Sequence, residues 1–120
     1  MIINLSNHPS SLWKDEQIDA ASQYGEIVDI PFPQVPPEWD DEQVKELAVK
    51  YFHTCMERIN DKPSVVHLAG ESVFCFFLLQ YLLREGIECL TSTTERIVNN
   101  KDGVKESVFK FKRFRNYKLI

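Results

Sequence analysis

Residues 64–69 read SVVHLA, a β-rich run that is almost unbroken in its apolarity. Such a run fits a central parallel strand covered on both faces, since a strand open to water on one side alternates instead. Gly70-Glu71-Ser72 follows at once, and a very apolar helix is expected from about Val73 to Glu85, capped by Gly86. A buried strand, a tight turn and a buried helix are the repeating unit of a parallel α/β sheet.

The rest of the chain fits that frame. Met1 to Leu5 is a short apolar strand, ended by the turn cluster Ser6-Asn7-His8-Pro9-Ser10-Ser11. Trp13 to Tyr24 reads as a helix, with Asp15 and Glu16 complementing the dipole in its first turn and Gly25 at its end. Glu26 to Phe32 is a second strand, stopped by Pro31 and Pro33 because proline cannot continue a central ladder. Asp40 is placed to cap a helix to about Asn60, in which Val44, Leu47, Ala48, Tyr51, Phe52, Cys55, Met56 and Ile59 recur every three or four residues. Ile87 to Leu90 is the fourth strand and runs into Thr91-Ser92-Thr93-Thr94-Glu95-Arg96. A hairpin follows, from Ile97-Val98 through Asn99-Asn100-Lys101-Asp102-Gly103 into Val104 to Phe114.

The expected order is β-α-β-α-β-α-β-β-β: one Rossmann-like three-layer α/β domain over residues 1–120, with a mainly parallel sheet and a C-terminal antiparallel hairpin. In such sheets ligands bind beyond the carboxyl ends of the strands. That rule selects the loops at residues 6–11, 31–37, 70–73 and 91–96.

Composition narrows what those loops meet. The net charge is −4, so a long nucleic acid gains little from the global field. The charge is uneven. Lys105, Lys110, Lys112, Arg113, Arg115 and Lys118 face only Glu106 near the C-terminus, while Glu38, Asp40, Asp41, Glu42 and Glu46 cluster around Lys45. Cys55, Cys75 and Cys89 form no CxxC pair and sit in apolar stretches, which reads as reduced core thiols of a cytoplasmic protein and not as a metal site. The opening MIINLSNHP has neither the basic segment nor the long apolar run of a signal peptide, and no apolar run approaches a membrane span. No metal or cofactor is expected.

Ser6, Asn7, His8, Ser10 and Ser11 beside a helix start can make a phosphate or ribose site, or a turn with a cap. Gly70 can admit a ligand to the backbone, with Glu71 and Ser72 beside it, or it serves a tight turn capped by Ser72. Ser92, Thr93 and Thr94 offer hydroxyls to phosphate oxygens, with Glu95 and a bidentate Arg96 following, or they form a solvated edge strand. His67, flanked by Val66 and Leu68, reads as a core histidine, and His53 as helix surface. Phe74, Phe76, Phe77 and Tyr81 read as core. No Ser-His-acid triad is legible.

Ile3-Asn4-Leu5-Ser6-Asn7-His8-Pro9-Ser10-Ser11, Asp29-Ile30-Pro31-Phe32-Pro33, His67-Leu68-Ala69-Gly70-Glu71 and Ser92-Thr93-Thr94-Glu95-Arg96 together resemble the small stand-alone CARF-domain (CRISPR-associated Rossmann fold) proteins of type III CRISPR systems. The resemblance implies a homodimer that binds cyclic oligoadenylate, usually cyclic tetra-adenylate, across its two-fold axis. Several such proteins are ring nucleases, in which a ribose 2′-hydroxyl attacks the adjacent phosphate without a metal. On that reading Asn7, Ser10 and Ser11 bind phosphate and ribose, Thr93, Thr94 and Arg96 hold the scissile phosphate, and His8 is the acid/base group, with Glu71 or Glu95 as alternatives. A non-catalytic sensor or sponge, an enzyme for another small phosphorylated nucleotide, and a protein-interaction subunit using the basic hairpin are the competing readings.

Overall fold

The computed structural model describes residues 1–120. Its strands are β1 (Ile2–Ser6), β2 (Ile27–Asp29), β3 (Val65–Ala69), β4 (Cys89–Lys101) and β5 (Val104–Tyr117); its helices are α1 (Asp15–Ser22), α2 (Asp41–Asp61) and α3 (Ser72–Arg84). One sheet holds all five strands in the order β2-β1-β3-β4-β5. The first four run parallel and β5 returns antiparallel along β4. This is the Rossmann-like α/β arrangement expected from the sequence.

Strand periodicity sorts the side chains into two layers. Ile3, Leu5, Val66, Leu68 and Cys89 point to one face and pack with Val44, Ala48 and Cys55 of α2 and Phe74, Leu78 and Leu82 of α3. Ile2 and Leu90 point to the other, against Ala21 of α1 and Phe114 of β5. Helix α2 starts where expected: Asp40 accepts from the Gln43 backbone N–H at 2.9 Å, and the Gln43 side chain accepts from the Asp40 N–H at 3.0 Å. All three cysteines are buried and unpaired, and burial pushes their thiols up to about 11 for Cys55 and about 12 for Cys75 and Cys89. No helix is long and apolar enough to cross a membrane.

Several expectations need correction. Helix α1 omits Trp13, which closes a short 3-10 turn over Ser10–Leu12. Strand β2 covers three residues only, because Pro31 and Pro33 have no N–H to give; Ile30 still donates to the Asn4 carbonyl at 2.9 Å. Phe76 is not core but 65% exposed. The largest difference lies at residues 91–96, which form strand and not loop. Pairing with β3 stops at His67↔Leu90, yet β4 continues to Lys101 because β5 pairs with it all the way. The expected fourth strand and first hairpin arm are thus one strand, and the sheet has five strands, not six. The two strands therefore leave the body as a ribbon. Asp102 and Gly103, both at positive φ (53° and 77°), make its tight turn.

Candidate functional site

Three register partners place polar residues side by side on the α1 face: Asn4 opposite Asp29 on β2, and Asn4 opposite His67 on β3. Ser92 lies two residues past Leu90, the partner of His67, and so shares that face. Their side chains join into one chain of hydrogen bonds across four strands. Asn4 Nδ2 donates to Asp29 Oδ1 at 2.8 Å and to the His8 carbonyl at 3.0 Å. Asn4 Oδ1 meets Ser6 Oγ at 2.8 Å and His67 Nδ1 at 2.9 Å. His67 Nε2 meets Ser92 Oγ at 2.7 Å, and Gln17 Nε2 of α1 donates to the same oxygen at 2.9 Å.

These contacts fix the protons. A carboxylate and a carbonyl both need donors, so the Asn4 NH2 must face Asp29 and His8. Its oxygen then faces His67, which places the imidazole proton on Nδ1. Nε2 is left as an acceptor for the Ser92 hydroxyl. His67 is 2% exposed, and burial, with the nearby His8 adding to it, brings its pKa down to about 4. The ring is thus neutral at pH 7. Trp13 and Phe114 pack their rings against it at 5.3 and 5.5 Å. Asp29 also accepts from Ser10 Oγ at 2.6 Å and Ser10 N at 3.0 Å. Burial alone would raise its pKa, but the bonds from Ser10 and Asn4 outweigh that and hold it below the usual carboxylate value. No buried side-chain polar atom in the chain lacks a partner.

The chain of bonds is flanked by two hollows at the carboxyl ends of β1 and β3. Strand order reverses between these two strands, which makes this the topological switch point. The smaller hollow, about 320 Å3, is walled by Ser6, His8, Trp13, Gln17, His67, Ser92, Thr94 and Phe109 among others, with no carboxylate among its lining residues. An adjoining depression shares Trp13, Gln17, Thr94 and Phe109 and adds Lys14, Glu16 and Lys110. The larger hollow, about 700 Å3, lies on the β2 side and is lined by Asn7, Asp29, Phe32, Gln34, Gly70 and Glu71 among others, with two acids and no cation.

The expected site residues divide accordingly. His8, Ser92 and Thr94 meet at the smaller hollow, Asn7, Gly70 and Glu71 at the larger, and Ser6 lines both. Ser10 is held by Asp29, and Ser11 is exposed away from both. Gly70 does not open the backbone to a ligand: a Cβ there would lie 2.3 Å from the Phe32 ring, so the glycine makes room for phenylalanine. Ser72 is not the cap of α3. Glu71 is, accepting from Val73 N at 3.2 Å and Phe74 N at 2.7 Å, which fills that helix start with a carboxylate. Thr93 donates to the Arg113 carbonyl at 3.1 Å, Glu95 pairs with Lys112 at 2.7 Å, and Arg96 donates to Ser107 Oγ at 2.9 Å, all on the ribbon. Arg96 lines neither hollow.

Asn4, Gln17, Lys14, Lys110 and His67 lie outside the candidate site residues that the sequence points to. Two clues were present. Asn4 in Ile2-Ile3-Asn4-Leu5 and His67 in Val65-Val66-His67-Leu68 are each a lone polar group inside a buried strand, where a polar side chain must find a partner.

A family model described as "Uncharacterized protein MJ1673 family" matches residues 1–115. The chain belongs to that family. No curated protein and no solved structure matches it. The MJ1673 family match takes in both hollows and every member of the hydrogen-bonded chain from Asp29 to Gln17.

Proposed function

We propose that this chain binds a cyclic oligoadenylate, with cyclic tetra-adenylate as the leading ligand, in the smaller hollow and opens the ring there. It would act as a cytoplasmic ring nuclease of CARF type, damping type III CRISPR antiviral signalling. The observation that carries this reading is a hollow at the switch point with no acid in its own lining, two lysines (Lys14 and Lys110) against one acid (Glu16) at its margin, and aromatic walls from Trp13 and Phe109. Phosphate needs cations and donors, and a purine needs a flat apolar face. The larger hollow, with Asp29 and Glu71, repels phosphate and is the poorer choice. The cations are thus Lys14, just before α1, and Lys110 on β5, in place of Arg96.

The chemistry needs little from the protein. The ligand's own 2′-hydroxyl attacks the adjacent phosphorus, the 5′-oxygen leaves, and a 2′,3′-cyclic phosphate results. The chain holds the hydroxyl in line and offsets the charge on the phosphorane, tasks suited to Lys14, Lys110, Gln17 and Thr94. His8, a residue of the hollow's lining, is the candidate acid or base. A two-fold symmetric ligand suits an isologous homodimer in which each copy lends one hollow.

The test is incubation of pure protein with radiolabelled cyclic tetra-adenylate in EDTA, with the products resolved. Linear products ending in 2′,3′-cyclic phosphate support the reading. Intact ligand shifted on a native gel makes the chain a sensor or sponge, and no binding removes cyclic tetra-adenylate. Loss of Lys14 and Lys110 together, as K14A/K110A, is expected to weaken binding by roughly tenfold or more and to flatten its dependence on salt. Unchanged affinity removes these lysines from the site.

A further inference from the structure

Ser92, His67 and Asn4 stand in the order of a nucleophile, its base and the group that orients the base. Ser92 Oγ lies 2.7 Å from His67 Nε2, and His67 Nδ1 lies 2.9 Å from Asn4 Oδ1. The amide of Asn4 can face only one way, so the ring can hold only the tautomer that leaves Nε2 free to take a proton. That order of nucleophile, base and orienting group is the one used in nucleophilic hydroxyl catalysis, recognised by geometry and not by chain order; Asn4 fixes the tautomer but brings no charge to offset an imidazolium. Ser92 sits half-buried on the wall of the smaller hollow, while His67 and Asn4 lie beneath it at 2% and 1% exposure. His67 also lines the hollow, so its ring is reached from there, beside Ser92.

We infer that Ser92 is an activated nucleophile, and that the smaller hollow hydrolyses small carboxylic esters through an acyl-serine. This goes beyond the nucleotide reading and does not rest on it, since in that reading the ligand supplies its own nucleophile.

The hollow suits such a substrate. Leu12, Trp13 and Phe109 offer apolar wall for an acyl group, and the lining carries no carboxylate to repel a developing oxyanion. Gln17 Nε2 already donates to Ser92 Oγ at 2.9 Å, so its amide stands beside the atom to which the carbonyl carbon would bond. Ser92 Oγ bonds to that carbon and its proton passes to His67 Nε2. The carbonyl oxygen takes the electron pair and accepts from Gln17. Collapse breaks the bond to the alcohol, which leaves with the proton from His67. A water molecule then attacks the acyl-serine, giving one proton to His67, and the carboxylic acid departs as Ser92 Oγ takes that proton back. Ester and water become acid and alcohol, and the protein returns unchanged.

A fluorophosphonate probe tests the nucleophile without a nucleotide in the tube. It bonds its phosphorus to an activated serine and releases fluoride, and peptide mapping locates the adduct. The expected result is one adduct per chain, on Ser92, formed roughly 100-fold faster than in His67→Gln and absent in Ser92→Ala. Because removal of a buried histidine can unfold the chain, the wild-type protein carries the decisive result. No adduct on Ser92, or label spread over Ser10, Ser11 and other exposed serines, overturns the inference. Release of 4-nitrophenol from 4-nitrophenyl acetate or butyrate by the wild type and not by Ser92→Ala supports the ester class. Label on Ser92 with no release from either ester overturns that class.

Discussion

Turning the Asn4 amide around would set its oxygen against the Asp29 carboxylate and the His8 carbonyl, three acceptors with no proton among them. That one constraint propagates along the sheet, through His67 Nδ1 to His67 Nε2 and out to Ser92. It also makes stability depend on pH. A histidine held at about 4 in the fold and near 6.5 in the unfolded chain binds its proton more readily unfolded. Its contribution is complete above about pH 6.5 and declines as the pH falls toward 4, by about 3 kcal/mol in total. Urea titrations at pH 7 and pH 4.5 are expected to show this loss, and His67→Gln, compared with itself at the same two values, a smaller one. Equal losses in the two proteins would mean that His67 is not the group responsible.

At the scale of elements, Gly70 shows how one position joins two loops. Its missing side chain lets Phe32 lie across the end of β3, and Phe32 in turn meets Phe74 edge-on at 5.2 Å. Gly70→Ala is expected to displace the ring and cost about 1–3 kcal/mol of overpacking, read as a lower midpoint in thermal or denaturant unfolding. An unchanged midpoint would mean that Phe32 moves aside freely. The elements were largely legible in the sequence because their signals are local: Asp40 for the start of α2, proline after β2, the Asn99-to-Gly103 cluster for the ribbon turn. The length of β4 was not legible. Thr91–Lys101 is polar and carries no strong pattern of its own, and it is strand only because β5 lies beside it. The site suffered for the same reason. Hydroxyls could be seen in residues 91–96, but which of them turn inward depends on a pairing register that no local signal states. Lys110 reaches the adjoining depression from 18 residues beyond Ser92 by way of the hairpin.

The whole molecule is a body with an arm. Beyond Leu90 the ribbon has no third strand, and a two-stranded ribbon gains little stability by itself. Val98, Val104 and Phe109 on it are 50%, 60% and 64% exposed. In dilute solution the amides of residues 95–110 are expected to exchange with deuterium well before those of β3. Protection of the ribbon equal to that of β3, if it grows with protein concentration, would show that another chain covers it. The arm also carries its own charge. Residues 89–120 hold eight lysines and arginines against three acids, whereas residues 1–88 hold six against fifteen. A net charge of −4 thus describes neither half, and the molecule has a large dipole along the line from body to arm. An applied field turns such a molecule before it carries it anywhere. An anionic surface, which the total charge suggests it should avoid, meets it arm first.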